Sequence, residues 1–322
     1  MKTMYLTPAD DVQSAVNALK GPATVRLSNG IYRQKIKITA DDITIIGENR
    51  EKTVITFDDY AKKPHADGRE YNTFRTYTLC VTGKRVKIEN LTVENSNTQP
   101  EVKGQCVALS VNADGFIAEN VDLKSTQDTL FTAPFPDDLV IRYSGLTEDK
   151  TYYAGFISKD ELCLEGNLVQ LFKNCRIYGT VDYVFGCAEA YFIGCQFISL
   201  PEARGTGFVA APAHSLARSR GYVFYECAFK SGGAAKNSVY LARPWRDFGK
   251  CEFINCRLES HINGELFDKW NDTHRNKTAR FYYFSLRSEA PLTPVKWASE
   301  LTEKQANEII NYCNAKFKGN AR

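Results

Sequence analysis

Two aspartates occupy positions where the local sequence makes a carboxylate unusual. Asp182 lies within residues 179–186, Gly-Thr-Val-Asp-Tyr-Val-Phe-Gly, among β-branched and aromatic residues that favour a strand. A half-buried carboxylate in such a strand is costly unless a cation or hydrogen bonds accompany it. Asp128 stands in the comparable stretch of residues 127–130, Gln-Asp-Thr-Leu. Two acids in different surroundings can supply one ionised carboxylate and one proton donor, so this pair is a candidate for acid–base chemistry.

Three further polar residues fit a site around these acids. Gln105, Gln127 and Arg243 offer two amide groups and one guanidinium. Each of them alone is unremarkable, and an aspartate in a β-rich chain more often caps a turn. Together they could hold one carboxylate ionised and stabilise a developing oxyanion. We therefore prefer the catalytic interpretation to turn capping.

The elements that must position these residues resemble short strands. Brief β-rich runs separated by turn residues follow one another in the N-terminal part, which indicates an all-β protein. Six later fragments share one pattern, in which a turn residue precedes a small or apolar residue, a polar residue and an apolar residue. They are residues 89–93, 119–123, 173–177, 193–197, 225–229 and 254–258.

Repeats of this kind favour the coils of a parallel β-solenoid. In that fold the recurring asparagines would stack in a turn and the recurring cysteines would point inward. Stacking also brings equivalent residues of successive coils to about 4.8 Å from each other, which would make Asp128 and Asp182 neighbours. A β-sandwich is the competing interpretation, but the hairpin signals that it requires are scarce.

Both ends of the chain have helical patterns that could cap the solenoid, and the whole chain is predicted to be one domain. Residues 11–19 place apolar side chains on one helical face. Residues 301–317 do the same and begin with Thr302 and Gln305 as a capping box. A long segment, residues 132–169, interrupts the repeats. We interpret it as a lobe beside the site, because long loops in compact proteins are usually functional.

Composition and charge exclude several functions. The net charge is +3 with both signs interspersed, which argues against nucleic-acid binding, and no run approaches the roughly 20 apolar residues that cross a bilayer. The ten cysteines contain no CxxC pair and the four histidines lack metal-ligand spacing, so a structural zinc site is not expected. Such cysteine usage suits a reducing compartment. The acidic N-terminus does not fit a secretory signal, so we expect a cytoplasmic protein, or a secreted one if a signal was removed.

Five motifs, in sequence order, resemble the pectin methylesterase family. They are Gly30-Ile-Tyr32, Gln105 with Ala108-Leu109, residues 127–130, residues 179–186 and Leu241-Ala-Arg-Pro-Trp245. The resemblance implies a single-stranded, right-handed parallel β-helix, in agreement with the repeats. It also implies hydrolysis of the methyl ester at C6 of galacturonate in pectin, which releases methanol and uses no metal or cofactor. The segment of residues 132–169 is similar to that of bacterial relatives.

The resemblance also implies a role for each candidate residue. Asp182 matches the nucleophile, and Asp128 matches the acid that protonates methanol and then activates water. Arg243 matches the partner of the nucleophile, while Gln105 and Gln127 match the amides that stabilise the oxyanion. A guanidinium beside Asp182 would lower its pKa, whereas burial and a nearby negative charge would raise the pKa of Asp128.

The cleft for the sugar chain is expected to be aromatic. Trp245 and Trp270 match residues that line it in the family, and Tyr183 and Phe185 are expected to extend that wall. Aromatic faces suit sugar rings, although a single aromatic residue more often packs in a core.

The chain departs from the family pattern at three places. Gln34 stands where the family usually has glutamate, and residues 187–189 differ from the usual ones. Ala242 replaces the glycine that normally precedes the arginine. If that position required a positive φ, Arg243 would be displaced.

The expected substrate is pectin or methyl-esterified oligogalacturonides, bound by a monomer that contacts neither nucleic acid nor membrane. We expect the enzyme to act inside the cell on short imported oligogalacturonides, with residues 132–169 narrowing the cleft. Two alternatives stay open at this point. One is a pectin-cleaving lyase or glycosidase on the same fold, and the other is a non-catalytic solenoid that binds polysaccharide.

Overall fold

The chain forms three parallel β-sheets that run side by side along one axis. The computed structural model describes residues 2–65, 68, 70–147, 168–271 and 273–317. The named strands pair in parallel with the equivalent strands of adjacent coils, and each complete coil contributes one strand to each sheet. The all-β prediction is therefore confirmed, and the architecture is a right-handed parallel β-helix.

In the part of the chain that the structure describes, the strands of each sheet follow one another in chain order. Sheet 1 has 11 strands: β1 Lys2–Leu6, β2 Ala23–Leu27, β5 Ile43–Gly47, β8 Lys87–Glu89, β11 Phe116–Glu119, β14 Val169–Lys173, β17 Glu189–Ile193, β20 Tyr222–Tyr225, β23 Lys250–Ile254, β25 Arg280–Phe284 and β27 Ser299–Glu300. Sheet 2 has nine: β3 Gly30–Arg33, β6 Thr53–Phe57, β9 Thr92–Asn95, β12 Asp122–Lys124, β15 Arg176–Gly179, β18 Gln196–Ser199, β21 Ala228–Ser231, β24 Arg257–Leu258 and β26 Arg287–Ser288. Sheet 3 has seven: β4 Ile36–Ile38, β7 Leu79–Val81, β10 Leu109–Val111, β13 Leu130–Thr132, β16 Val181–Gly186, β19 Gly207–Pro212 and β22 Val239–Ala242.

In six successive coils, from β8–β9 to β23–β24, a left-handed corner joins sheet 1 to sheet 2. The corner residues have φ angles from 54° to 62°: Asn90, Asn120, Asn174, Gly194, Glu226 and Asn255. Each corner N–H donates to a carbonyl of the next coil, as Asn90 N does to Glu119 O at 3.1 Å. In addition, Asn120 Nδ2 donates to Asn90 Oδ1 at 2.7 Å. The predicted stacking of asparagines in a turn is confirmed, and asparagine suits the corner because it tolerates a positive φ.

Inside the coils, equivalent side chains recur in rows along the axis. One row consists of stacked rings with centroids 4.4 to 4.9 Å apart: Phe172, Phe192, Phe224 and Phe253. Another consists of thiols that donate to carbonyls of the preceding coil: Cys175, Cys195, Cys227 and Cys256. The nine cysteines in the described part of the chain are buried and are thiols, not members of a disulfide. The prediction that the cysteines are small core residues is thus confirmed for these nine.

Four helices occur in the described residues: α1 Val12–Asn17, α2 Pro100–Lys103, α3 Asp137–Thr147 and α4 Glu303–Phe317, with 3₁₀ turns at Thr73–Arg75 and Arg275–Lys277. None of them is long and apolar enough to cross a membrane. Helix α1 covers the first coil and is held there by Gln34. Val12 N donates to Gln34 Oε1 at 2.8 Å, and Gln34 Nε2 donates to Asp10 O at 2.7 Å. An amide can accept and donate at once, which an ionised glutamate at this position could not.

Helix α4 begins at the predicted capping box but packs on the side of the stack. Gln305 N donates to Thr302 Oγ1 at 3.3 Å, and Thr302 N donates to Gln305 Oε1 at 2.9 Å. The apolar face of the helix joins outward-facing residues of sheet 1 in one cluster: Leu171, Tyr191, Val223, Ile254, Leu301, Ala306, Ile309 and Cys313. The expectation that this helix closes the end of the solenoid is therefore corrected. It covers the outer face of sheet 1, because the strands there present apolar side chains outward.

The segment predicted as a lobe, residues 132–169, lies only partly within the described residues. Helix α3 forms its first part, and Leu139 and Tyr143 of this helix are buried. The ring of Tyr143 contacts that of Phe74 edge-on, with centroids 6.0 Å apart. Residues 148–167 lie outside the described residues, so the bounds of the lobe stay a prediction.

A buried histidine connects three segments of neighbouring coils. His214 follows β19, and its Nε2 lies 2.9 Å from the carbonyl of Ala188, while Lys250 N donates to Nδ1 at 3.2 Å. The neutral ring with its proton on Nε2 satisfies both contacts. Burial lowers the pKa of His214 to about 3.

We predict that His214 makes the fold sensitive to mild acid. The unfolded chain has a histidine pKa of about 6.5, so below that pH it takes up a proton that the folded chain does not. The contribution of His214 to the free energy of unfolding is fully present above about pH 6.5. It decreases as the pH falls, by about 2 kcal/mol between pH 7 and pH 5. Urea denaturation at both pH values should show this loss in the wild type and not in His214→Gln. The exposed His274→Asn should behave as wild type, and a loss retained in His214→Gln contradicts the assignment.

Candidate active site

Asp128 and Asp182 occupy the same position on two successive coils. Leu130 of β13 pairs with Val184 of β16, and each aspartate lies two residues before its member of that pair. Asp128 N donates to the carbonyl of Val181 at 3.0 Å. The two residues are only 9% and 8% exposed. Stacking of the coils therefore brings the two acids together, as the repeats predict.

Both aspartates have a left-handed backbone, with φ angles of 64° at Asp128 and 50° at Asp182. At Asp182 the pairing of β16 with β19 shifts between Val181 and Val184, which is a β-bulge. Residues with positive φ and bulges cluster at active sites because they re-aim side chains away from the regular strand direction.

Arg243 follows β22 and binds both carboxylate oxygens of Asp182. Its Nε lies 2.8 Å from Oδ1 and its Nη2 lies 2.6 Å from Oδ2. The backbone N–H of Arg243 donates to Ala210 O at 2.9 Å, which holds the residue against β19. Ala242 is a buried strand residue that pairs with Ala210. The alanine in place of glycine therefore leaves Arg243 within reach of Asp182.

Burial changes the acidity of both carboxyl groups. It raises the pKa of Asp128 well above its usual range, and the negative charge of Asp182 raises it further. Burial also raises the pKa of Asp182, although Arg243 opposes this through its charge and hydrogen bonds. Arg243 thus acts to lower the pKa of Asp182 as expected, but burial outweighs it, so the net shift is upward and not downward. Of the two acids, Asp182 is the one that has a bidentate guanidinium, which favours its ionised form.

The two glutamines lie on consecutive coils, and Gln127 directly precedes Asp128. Cys106 follows Gln105, and its backbone N–H donates to the carbonyl of Gln127 at 3.1 Å. A side-chain hydrogen bond from Gln127 to Asp128 acts to lower the pKa of that acid, against the larger effect of burial. The Oε1 of Gln127 lies 3.5 Å from Nη2 of Arg204. An amide whose oxygen faces a cation presents its NH₂ group elsewhere, which suits an oxyanion donor.

The four aromatic residues predicted to line the cleft differ in position. Trp245 and Trp270 are half-buried, so part of each side chain stays exposed. Phe185 is 2% exposed and contacts Trp245 edge-on at 5.6 Å, so it supports the wall from beneath. Tyr183 is 0% exposed and its hydroxyl lies 3.0 Å from Ser199 Oγ, so the prediction that it lines the cleft is wrong. The bulge at Asp182 is the reason, because it breaks the alternation that would place Tyr183 and Phe185 on one face.

Sequence reasoning missed two residues next to Asp182. Arg204, which is held by Glu202 at 2.6 Å, acts on both acids by its charge. Phe208 of β19 lies under the guanidinium of Arg243. Both line a pocket of about 390 Å³ together with Val181, Thr206, Tyr240, Arg243, Asp268 and Asn271. No local sequence pattern marks either residue. Arg204 comes close to the two acids, and Phe208 to Arg243, only because the coils stack.

A second arginine links helix α3 to the aromatic wall. Arg246 donates from Nε and Nη2 to the two oxygens of Asp138, both at 2.7 Å. Its guanidinium lies 4.7 Å from the ring centroid of Trp245, and Nη1 donates to the carbonyl of Trp245 at 2.7 Å. Helix α3 thus helps to fix the position of Trp245.

No three His, Cys, Asp or Glu side chains converge as a metal-ligand set within the described residues. A family model described as Pectinesterase matches residues 2–135 and 159–321. The chain belongs to the pectinesterase family. Its activity is thus that of a carboxylic ester hydrolase that removes methyl esters from pectin, which decides against the lyase, glycosidase and non-catalytic alternatives.

Similar pectinesterases occur in plants and bacteria. Pectinesterase 31 of Arabidopsis thaliana is 27% identical over 317 residues, which cover 96% of this chain and 87% of that protein. Probable pectinesterase/pectinesterase inhibitor 64 of the same plant is 26% identical, but the chain spans only 49% of its length. Among solved structures, pectin methylesterase PemA from Erwinia chrysanthemi has a TM-score of 0.78 at 22% identity, covering 96% of this chain and 95% of that chain. A pectin methylesterase in complex with a hexasaccharide has a TM-score of 0.76 at 23% identity, covering 93% and 90%.

The match to the pectinesterase family leaves one internal stretch of this chain uncovered. Residues 136–158 lie between the two matched ranges, and helix α3 begins and ends inside that stretch. The contact between Asp138 and Arg246 therefore joins a part of the chain that the family model does not match to a motif that it does.

We predict that the bidentate geometry at Arg243 is required, and not only its charge. In Arg243→Lys a single ammonium replaces the guanidinium fork, so the two oxygens of Asp182 can no longer be held together. We expect kcat for methanol release to fall by roughly 100-fold. Arg85→Lys is the matched control, since Arg85 binds Asp42 on the surface through Nε at 2.6 Å and Nη2 at 2.8 Å. Equal activity of the two variants contradicts the prediction.

Proposed function

We propose that Asp182 is the nucleophile and Asp128 the general acid and base of this pectinesterase. The bidentate contact of Arg243 with Asp182, one coil from a carboxyl whose pKa burial raises, is the observation that carries this assignment. It supports different roles for two chemically identical side chains, with Asp182 ionised and Asp128 protonated, which are the two forms that the reaction needs.

In the first half of the reaction, a carboxylate oxygen of Asp182 attacks the C6 carbonyl carbon of the methyl ester. The carbonyl oxygen becomes an oxyanion, to which the NH₂ groups of Gln105 and Gln127 donate in this proposal. The C–O bond to the methoxy group then breaks. Asp128 gives its proton to that oxygen, so methanol leaves and Asp182 is joined to the sugar as an acyl anhydride.

In the second half, Asp128 is ionised and accepts a proton from water. The hydroxide attacks the carbonyl carbon of the anhydride, and the bond to Asp182 breaks. Galacturonate is released as its carboxylate, Asp182 returns to its ionised form, and Asp128 is again protonated. The net reaction consumes one water and yields methanol, a carboxylate and one proton.

We predict that Asp182→Asn and Asp128→Asn each lower kcat by at least about 1,000-fold, because an amide is neither a nucleophile nor a proton donor of the required kind. Methanol release from methylated pectin measures this. Asp122→Asn is the matched control, because Asp122 is another buried acid with a bidentate arginine, Arg176, at 2.7 and 2.6 Å. It should lose stability and keep its kcat. Near-normal activity of Asp182→Asn contradicts the nucleophile assignment.

We propose short methyl-esterified oligogalacturonides as the preferred substrate. A related pectin methylesterase has been solved with a hexasaccharide, which supports binding of such chains. The contacts of helix α3 are an argument for a narrowed cleft, because the helix binds residues of two separate segments, Asn72 and Arg246. Asn72 Nδ2 donates to Tyr143 Oη at 3.1 Å on one side, and Asp138 binds Arg246 on the other.

The corresponding measurement compares methanol release from methylated tri- to hexagalacturonides with release from polymeric pectin. We expect a kcat/KM per ester at least about tenfold higher for the short chains. Equal or better turnover of the polymer contradicts the preference and leaves the catalytic assignment standing. The monomeric state and the cytoplasmic location stay predictions, which light scattering and cell fractionation can check.

A further inference from the structure

The guanidinium of Arg243 lies between two aromatic rings. Its Cζ is 3.8 Å from the ring centroid of Phe208 and 3.8 Å from that of Trp270. A guanidinium carbon this close to a ring centre leaves room only for a group that lies flat on the ring. Two rings at this distance cannot share one side of it, so they cover its two faces. The edge formed by Nε and Nη2 is the part that meets Asp182.

Both rings are themselves held in place. Phe208 is part of β19 and stacks on Tyr240 of β22, with centroids 5.7 Å apart and planes inclined by 13°. Trp270 has a φ of 63°, and its backbone N–H donates to Asp268 Oδ1 at 2.7 Å. The N–H of Asp268 donates in turn to the carbonyl of Ala242 at 3.1 Å. The loop that carries Trp270 is therefore attached to the residue that precedes Arg243.

We propose that Phe208 and Trp270 are positioning residues that clamp Arg243 in the plane where its two donors meet both oxygens of Asp182. This goes beyond the assignment of Trp270 to the sugar wall, since one of its faces is occupied by the guanidinium. The inference deepens the proposed function and rests on Asp182 being the nucleophile.

The clamp has a chemical purpose in the proposed reaction. Arginine is the most weakly hydrated protein cation and stacks readily on aromatic faces. Two rings exclude water from its faces, so the strongest remaining partner is the carboxylate. Without the two rings the guanidinium could rotate. Asp182 would then lose the contact that opposes the rise in its pKa caused by burial. Charged groups that act on Asp182 are Arg243, Arg204 and Asp268, with Asp128 one coil away.

The test uses pairs of substitutions that separate a π face from apolar volume. Phe208→Leu and Trp270→Leu remove the ring, whereas Phe208→Tyr and Trp270→Phe keep one. For each variant, kcat and KM on a methylated hexagalacturonide are measured from pH 4 to pH 9, together with thermal unfolding. We expect kcat to fall about tenfold in the leucine variants while KM changes less than about twofold. The acid limb of kcat/KM should move to higher pH, because a loosened Arg243 no longer opposes the rise in the pKa of Asp182. The aromatic variants should lose less kcat than the leucine variants and should keep the acid limb of kcat/KM at its wild-type position.

Several results would overturn the clamp. If Trp270→Leu raises KM and leaves kcat and the acid limb unchanged, Trp270 is a sugar platform only. If Phe208→Leu keeps the wild-type profile, the ring under Arg243 is dispensable. If a leucine variant does not fold, the methionine variant at the same position gives the same comparison. Failure of the proposed function is distinguishable, since it shows as activity retained in Asp182→Asn whatever the clamp variants do.

Discussion

Two largely buried carboxylates on neighbouring coils set the conditions that the rest of the site satisfies. Ionised acids about one strand spacing apart repel strongly in a medium that water barely screens. Arg243 offsets the charge of Asp182 through two short hydrogen bonds, and burial raises the pKa of Asp128, which favours its neutral form. The same two compensations create the reactive difference between the acids. Stability and chemistry at this site therefore depend on one arrangement.

The β-helix provides this arrangement through repetition with local exceptions. Coil stacking fixes which residues become neighbours, and the left-handed asparagine corners keep the register from one coil to the next. The site arises where the repetition is broken. Asp128 and Asp182 both have a positive φ, and β16 carries a bulge at Asp182. Regular strands on both sides hold these irregular residues, so the cost of the irregular backbone is carried by the surrounding sheets.

Much of this could be predicted because the informative patterns are local. The corner asparagines, the inward cysteines and the capping box of α4 each follow from a few adjacent residues. The side-chain direction of Tyr183 could not be predicted, because a bulge two residues wide reverses it without changing the sequence pattern. The packing of α4 on sheet 1 was equally hidden. An amphipathic face shows that a helix is buried but not which apolar surface buries it.

The position of Phe208 was hidden for a related reason. Its neighbours in sequence describe an ordinary strand, and its contact with Arg243 exists only because two coils place β19 beside β22. The net direction of the pKa shift at Asp182 was not predicted, because the sequence reveals the presence of a cation but not how deeply the carboxyl group is buried. Quantities that depend on how many other atoms surround a group are the ones that local patterns omit.

The segment of residues 241–246 contains the same arrangement twice: an arginine that binds an aspartate and has a tryptophan ring against its guanidinium. Arg243 binds Asp182 with an indole, Trp270, on its face, and Arg246 binds Asp138 with its guanidinium over Trp245. The first unit reaches the reacting carboxylate. The second reaches α3, which lies in the stretch that the family model leaves unmatched. The two units are also in direct contact, because Phe185, which lies in the same strand as Asp182, packs edge-on against Trp245 with ring centroids 5.6 Å apart. Arg275 adds a second link, since its guanidinium lies over Trp270 and its Nη1 donates to the carbonyl of Pro244. The wall beside α3 and the reacting carboxylate are therefore parts of one packed unit.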